Sequence, residues 1–457
     1  MSTAHAHYVH AATGTAHRAT TTTTPAPTAP ADRGPSPVSR LGGPEALLIW
    51  TLATVFVVWL FSLQTGYGIV SPDIQQSAGL SVAQISLAAS VYTWVFAICQ
   101  FFSGSLLDRY GSRPLMTVGV ALVTIGAFLF AGTTGFGSLV LAQAVMALGA
   151  AFGFVGAGYI GGHWFEPARY GLMFGLVQTF ASLGSAVGQP AIAAMLGVVT
   201  WQQLLGGFGG LGVLLVVLFA IFVRNPDTPA ERAARAGAHG NVFGEIVRDL
   251  GRCFTTWNVN LAALMAGASF GTMLALGVLW GPRVMEARGA GPGFAAVLTA
   301  AAWLGLAVGA PLANVVSNRW NSRRMPAAAG TLLQALAVAL VIYLPTASNG
   351  ASIVLMFCVG LFAGAHMLGF TVAGESVSGA LIGSSAAIVN GVCFIIGGVL
   401  QAVPGALLPE NPTLDDFRAA LWLMPAVLVL GAVAALLMRE PRPATGVGEQ
   451  ATAAATS

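Results

Sequence analysis

Twelve stretches of about twenty residues, nearly free of charge, follow one another along this chain and constrain it more than any motif does. A helix needs roughly 20 apolar residues to cross a hydrocarbon core about 30 Å thick. Windows of that size fall near residues 46–70, 82–107, 114–132, 137–162, 169–199 and 202–223. Six more fall near 257–281, 294–317, 325–345, 350–373, 379–404 and 416–438. Of the 457 residues 56% are apolar and only 8% charged, against about 25% charged in a soluble domain. Such a chain cannot clothe an ordinary water-facing surface, which excludes a cytosolic enzyme, a nucleic-acid binder and a disordered hub. The expected fold class is an all-α membrane protein with twelve transmembrane helices.

The sequence has no lysine: all 19 basic residues are arginines, and against 16 acids they leave a net charge of +3. That is too little to suggest nucleic acid as a partner, but the placement of the arginines orients the chain. With both termini cytoplasmic, all but Arg283, Arg288 and Arg418 fall on the inner side, as the positive-inside rule requires. The expected location is the cytoplasmic (inner) membrane. Residues 1–45, rich in Ala, Thr, Pro and His, lack the basic and apolar regions of a cleaved signal and read as a disordered cytoplasmic tail. Residues 440–457 read the same way. Between the tails lie six helices in 46–223, a polar cytoplasmic linker in 224–256, and six helices in 257–439. Cys99, Cys253, Cys358 and Cys393 are scattered, so no metal site is expected. No phosphate loop, HExxH or nucleophile elbow stands in a sensible context, and neither a cofactor nor an enzyme activity is expected.

The two groups of six look duplicated. The loop after the second span runs from Gly104 through Asp108, Arg109 and Gly111 to Arg113; the loop after the eighth carries Asn318, Arg319, Asn321 and Arg323. Pairing Asp108 with Asn318 also pairs Arg109 with Arg319 and Arg113 with Arg323. Gln178 and Gln189 in the fifth span match Asn390 and Gln401 in the eleventh, and Glu166 after the fourth matches Glu375 after the tenth. Near-equal offsets at three places argue for repeated halves. The pattern Gly104-x-Leu106-x-Asp108-Arg109-x-Gly111-x-Arg113 resembles the loop signature of the major facilitator superfamily. What that resemblance implies is a secondary transporter: two pseudo-symmetric six-helix bundles around a midplane cavity, opening alternately to either side. The second copy departs from the signature at Asn318 and Asn321.

The loop residues suggest a gate. Gly104 and Gly111 permit close helix approach and a tight turn. Asp108 can cap the next helix or accept bonds from an arginine, while Arg109 and Arg113 could equally be headgroup anchors. The expected gate partners are Glu166 for Arg113, and Glu375 for Arg319 or Arg323. No Asp, Glu, Arg or Lys stands in the middle of a span, which weighs against a strongly charged substrate and leaves no carboxylate for proton coupling. His366 is the coupling candidate, with a packed, hydrogen-bonded histidine as the alternative; Asp73 at the outer end of the first helix and a proton carried by the substrate are the other routes. Gln64 and Tyr67 on the first helix, Gln178 on the fifth and Asn390 on the eleventh are substrate-binding candidates. Amides in lipid must face either a pore or a neighbouring helix. Gly175, Gly184, Gly188 and Gln189-Pro190 in the fifth span loosely resemble the antiporter motif of drug exporters, or mark a close-packed, kinked helix. The expected function is proton-coupled uptake of a small, monocarboxylate-type or weakly charged metabolite, with efflux of a drug or metabolite as the alternative and a non-transporting receptor or scaffold as a third. Nothing in the sequence speaks to oligomeric state.

Overall fold

A computed structural model describes residues 42–165, 170–225, 242–344, 348–378 and 381–440. Twelve described helices are long and apolar enough to cross a membrane. In chain order the helices are α1 (Pro44–Ala78), α2 (Val82–Tyr110), α3 (Ser112–Ala131), α4 (Phe136–Trp164), α5 (Tyr170–Leu196) and α6 (Trp201–Phe222). A shorter α7 (Val242–Phe254) lies within the stretch read as linker. Then come α8 (Trp257–Ala287), α9 (Pro292–Arg319), α10 (Arg324–Tyr343), α11 (Asn349–Glu375), α12 (Ile382–Leu407) and α13 (Leu414–Leu437). The spanning helices alternate in direction, so α1 starts and α13 ends on one face, the terminal face; the opposite one is the distal face.

Local chemistry sets the turns. On the distal face Gly79, at φ 61, closes α1, and capping boxes open α2 (Ser81 with Gln84), α6 (Thr200 with Gln203) and α13 (Thr413 with Asp416). Each box satisfies amide donors that a helix start would otherwise leave bare. The described chain extends slightly beyond the spans read from hydropathy. Pro44 and Glu45, assigned to the tail, begin α1, and the amide of Gly42 donates to the Trp164 carbonyl at 2.9 Å.

The halves α1–α6 and α8–α13 meet where α2 packs on α12 and α5 packs on α9. Exchanging the halves maps one pair onto the other, the relation a pseudo-two-fold demands. Each half also breaks its fourth spanning helix: α4 at Ala151–Phe152 and α11 in a 3₁₀ turn at Gly364–His366. Hydropathy cannot register such breaks, because the residues on both sides remain apolar.

The largest departure from the sequence reading is in α8. Its span was expected to stop near residue 281, before Pro282. The helix instead passes through a π-helical segment, Leu276–Trp280, and continues to Ala287. Proline lacks an amide donor and crowds the carbonyl one turn back, and a wider π turn relieves both problems. The extension carries Arg283 inside the bundle, where it is 8% exposed. Arg283 stands near the distal end of α8, so it does not contradict the expectation that the middle of each span is free of charge; what hydropathy missed is that this end is buried.

Candidate functional site

The two loops carrying the repeated motif are built alike. In the first half Asn225, just past α6, accepts from the Arg113 amide at 2.9 Å, with the Ser112 hydroxyl at 3.5 Å. In the second half Glu440, just past α13, accepts from the Ser322 hydroxyl and from the Arg323 and Arg324 amides at 3.0 and 3.2 Å. Each motif loop is thus tied to the end of the last helix of its own half. Glu440, assigned by sequence to the tail, is part of this cap.

The turn glycine explains its own replacement. Gly111 has φ 80 and ψ 169, a region open essentially only to glycine, and Asn225 lies where a side chain would go. Asn321 occupies the same place in the repeat at φ 50, a left-handed conformation that asparagine tolerates. Gly111→Ala should therefore lower the thermal unfolding midpoint in detergent, at a cost of about 1–3 kcal/mol, whereas Asn321→Gly should leave it nearly unchanged. Gly104 needs no such explanation. Its nearest neighbour beyond its own helix is a Val155 methyl 4.0 Å from where a Cβ would sit, so the close approach expected there is corrected.

Arg323 binds Glu375 through two contacts, at 2.9 and 3.3 Å, and also reaches Ser317 and Asn318 at 3.0 and 2.6 Å. Arg319 is exposed and has no partner among the described residues. Arg113 donates to the Ala220 carbonyl at 3.2 Å, where a cation suits the C-terminal end of α6. Glu166, its expected partner, lies outside the described residues, as do the side chains of Asp108 and Arg109. Partial burial pushes the Glu440 carboxyl up, but its three hydrogen bonds and the Arg324 charge hold it below the usual carboxylate range. A depressed folded-state value means that the cap contributes at neutral pH and is lost as pH falls from about 4.3 through that value. Hydrogen exchange at the Arg323 and Arg324 amides should then accelerate, relative to intrinsic rates, only in acid; Glu440→Ala should make it fast at neutral pH.

Toward the distal face the halves are closed. Gly68 of α1 lies against the Val278 carbonyl and Leu279 of α8, leaving no space for a side chain. Gln189 of α5 donates both to the Thr65 carbonyl at 3.0 Å and to the Gly277 carbonyl at 2.7 Å. The latter lies in the π segment, whose altered bonding leaves carbonyls in need of donors. Gly184 and Gly188 pack α5 onto Val58 and Ser62 of α1, so these two glycines of the antiporter-like motif serve close packing within one half.

Just inside this closure is a small cavity lined by Gln64, Tyr67, Ala89, Tyr92, Thr93, Gln143 and Val278. At about 10 Å³ it admits one water at most. The amide nitrogens of Gln64 and Gln143 are buried with no acceptor, and so is that of Gln401, whose oxygen lies 3.5 Å from the Thr93 hydroxyl. Each unsatisfied group costs about 1–3 kcal/mol. The sequence reading missed Gln143, because a single glutamine in the fourth span has no partner at helical spacing. Tyr67 is a wall of this space: its hydroxyl donates to the Ile85 carbonyl at 2.7 Å and its ring stacks on Phe130. The other two binding candidates lie elsewhere. Gln178 donates to Ser182 within α5 at 3.2 Å, and Asn390 donates across the α2–α12 seam to Gln100 at 3.3 Å.

The chain matches the Major Facilitator Superfamily across residues 48–402. It belongs to that superfamily. Among curated proteins it is 25% identical to the "Probable sulfoacetate transporter SauU" of Cupriavidus necator, over 56% of this chain and 61% of that protein. It is also 25% identical to the "Probable L-galactonate transporter" of Escherichia coli, over 88% of this chain and 91% of that protein. The chain thus spans about three fifths of the first relative and most of the second. Among solved structures, a bacterial homologue of the human lysosomal transporter Spinster, inward-facing and occupied, aligns at TM-score 0.68 and 15% identity, covering 87% of this chain and 97% of that one. A D-xylose–proton symporter aligns at TM-score 0.68 and 14% identity, covering 86% and 98%. These structural likenesses concern the fold of this superfamily member.

Within the superfamily fold, aromatic rings from the two halves meet. Phe96 meets Phe394 at 4.4 Å, and Phe61 meets Trp303 at 6.5 Å. His366 packs beside Phe270, 5% exposed, with Nδ1 2.8 Å from the Ala363 carbonyl. That is the geometry of a packed histidine.

Proposed function

We propose that this superfamily member is a secondary active transporter for a small organic anion of monocarboxylate type. It would work by alternating access, taking the anion up across the cytoplasmic membrane together with protons. The observation that carries this reading is the group of three buried amide donors, Gln64, Gln143 and Gln401, gathered about Thr93 with no acceptors of their own. Donors without acceptors suit an acceptor-rich ligand, and a carboxylate offers about four lone-pair sites and no donor. Two curated relatives are named for sulfoacetate and L-galactonate, both of which bear carboxylates.

In this reading the termini, the Gly104–Arg113 loop and the Asn318–Arg323 loop face the cytoplasm, as the arginine distribution favours. The domains in this reading are a first six-helix bundle ending at residue 223, a cytoplasmic linker at 224–256 and a second bundle from residue 257. The Arg323–Glu375 pair, with Asp108, Arg109 and Glu166, forms the cytoplasmic gate, and the described conformation is closed to the outside. Gln178 and Asn390 join the cavity wall when the halves rearrange, and His366 carries the coupled proton. The test is uptake of radiolabelled L-galactonate and sulfoacetate by proteoliposomes holding the purified full chain. Accumulation driven by an inward proton gradient and abolished by an uncoupler is expected. No accumulation of either anion, with proton-driven extrusion of drugs instead, would overturn the reading.

A further inference from the structure

Three arginines lie toward the distal face, and two of them have structural employment. Arg288 donates to the Ile342 and Leu344 carbonyls at 3.2 and 2.7 Å. Arg418 donates to Ile342 at 3.4 Å and pairs with Asp415 at 2.8 Å. Both satisfy the C-terminal end of α10, where a cation is favoured. Arg283 does neither. It is 8% exposed, and its guanidinium makes no ion pair among the described residues. Its partners are neutral and belong to the other half of the molecule: Ser71 Oγ, at 3.1 Å from Nη2 and 3.4 Å from Nε, and Gln75 Oε1 at 3.1 Å from Nη2.

A buried guanidinium held by neutral groups rather than by a direct ion pair is costly and rare in such surroundings. This one lines a cavity of about 230 Å³ with Gln75, Phe417 and the Glu286 carboxylate of its own helix. The wall therefore sets one cation and one carboxylate among apolar carbons, so the guanidinium can take a single anionic group while Glu286 disfavours a second negative charge on whatever enters. The volume suits an anion of a few carbons, and guanidinium groups bind carboxylate and sulfonate oxygens through paired donors.

We propose that Arg283 is the anion-recognition residue of the distal vestibule, taking the carboxylate or sulfonate of an incoming substrate in exchange for Ser71 and Gln75. This rests on the organic-anion reading above and deepens it. Closing the distal side returns the guanidinium to Ser71 and Gln75, so that the anion is released inward toward the unpaired amides of Gln64 and Gln143. One residue then serves both as selectivity filter and as closure contact. The fixed positive charge that the hydropathy pattern denied to the spans is thus supplied at their distal end.

The experiment compares the full-length wild type with Arg283→Gln and Arg283→Lys in right-side-out and inside-out vesicles, using L-galactonate as the anion and galactose as the neutral control. The expected result is a KM for galactonate at least about tenfold higher for Arg283→Gln when substrate is offered at the distal face, about the cost of one charge-assisted bond. Arg283→Lys should give a smaller rise, and the KM at the terminal face should stay near wild type. An equal rise at both faces would assign Arg283 a purely structural role and overturn the proposal. Competition by inorganic phosphate, with none by galactonate, would make this a simple ion site and overturn it as well. If the wild type carries no organic anion, the substrate reading fails and this site fails with it. If the wild type carries galactonate and Arg283→Gln behaves identically, only the site fails. Should Arg283→Gln not fold, the Ser71→Ala/Gln75→Leu double variant decides: it frees the guanidinium, so the distal KM should fall while turnover slows. An unchanged distal KM would reject the exchange.

Discussion

Gln143→Leu is expected to weaken binding of the transported anion by about 10- to 100-fold, while the purified protein remains at least as heat-stable as the wild type. The two effects have one cause. In the described conformation the Gln143 amide nitrogen is buried at 3% exposure and has no acceptor. Replacing an unsatisfied buried donor by an apolar side chain of similar shape is neutral or stabilising. A hydrogen bond to a charged ligand is worth about 1.5–3 kcal/mol, and each 1.4 kcal/mol is about tenfold in affinity. Gln64→Leu should behave in the same way. A residue needed only for packing would show the opposite pattern, with stability lost and affinity kept. Thermal-shift and equilibrium-binding measurements on one preparation separate the two.

Gly68→Leu should all but abolish net transport while sparing binding from the distal side. Gly68 lies on the α8 backbone at Val278 and Leu279, so a larger side chain holds the halves apart where they must close. Overpacking against a rigid backbone costs about 1–3 kcal/mol or more, enough to shift the population of the distally closed state by about 10- to 100-fold or beyond. Steady-state uptake should fall by that factor. A cysteine reporter at Gln75 should become reactive toward membrane-impermeant reagents. Undiminished uptake by a folded Gly68→Leu variant would mean that α1 and α8 need not meet during the cycle.

Much of the architecture is legible in the amino-acid sequence because it rests on hydropathy, which survives without any knowledge of contacts. Twelve apolar runs required twelve spans, and the spacing of Asp108, Arg109 and Arg113 against Asn318, Arg319 and Arg323 announced a repeat. The site is less legible, for physical reasons that differ from residue to residue. Pro282 looks like a terminator, yet the π turn at Leu276–Trp280 carries the helix past it and buries Arg283. Gln143 is one polar residue in a greasy span; only burial and the lack of an acceptor distinguish it. Asn225 and Glu440 are unremarkable in sequence and matter because each closes the motif loop of its own half. Gln178 and Asn390 have helical spacing in their favour, but spacing cannot say whether an amide meets a neighbour or a cavity, and both meet neighbours in the described conformation.

The central claim is that the halves must part and rejoin at the distal face in every cycle. It is tested most directly by a disulfide between cysteines placed at Gln75 and Glu286, which line the same distal cavity from α1 and α8, in a chain lacking Cys99, Cys253, Cys358 and Cys393. Oxidation should stop galactonate flux in proteoliposomes, and a reductant should restore it. Flux that continues undiminished with the bond formed would contradict the account.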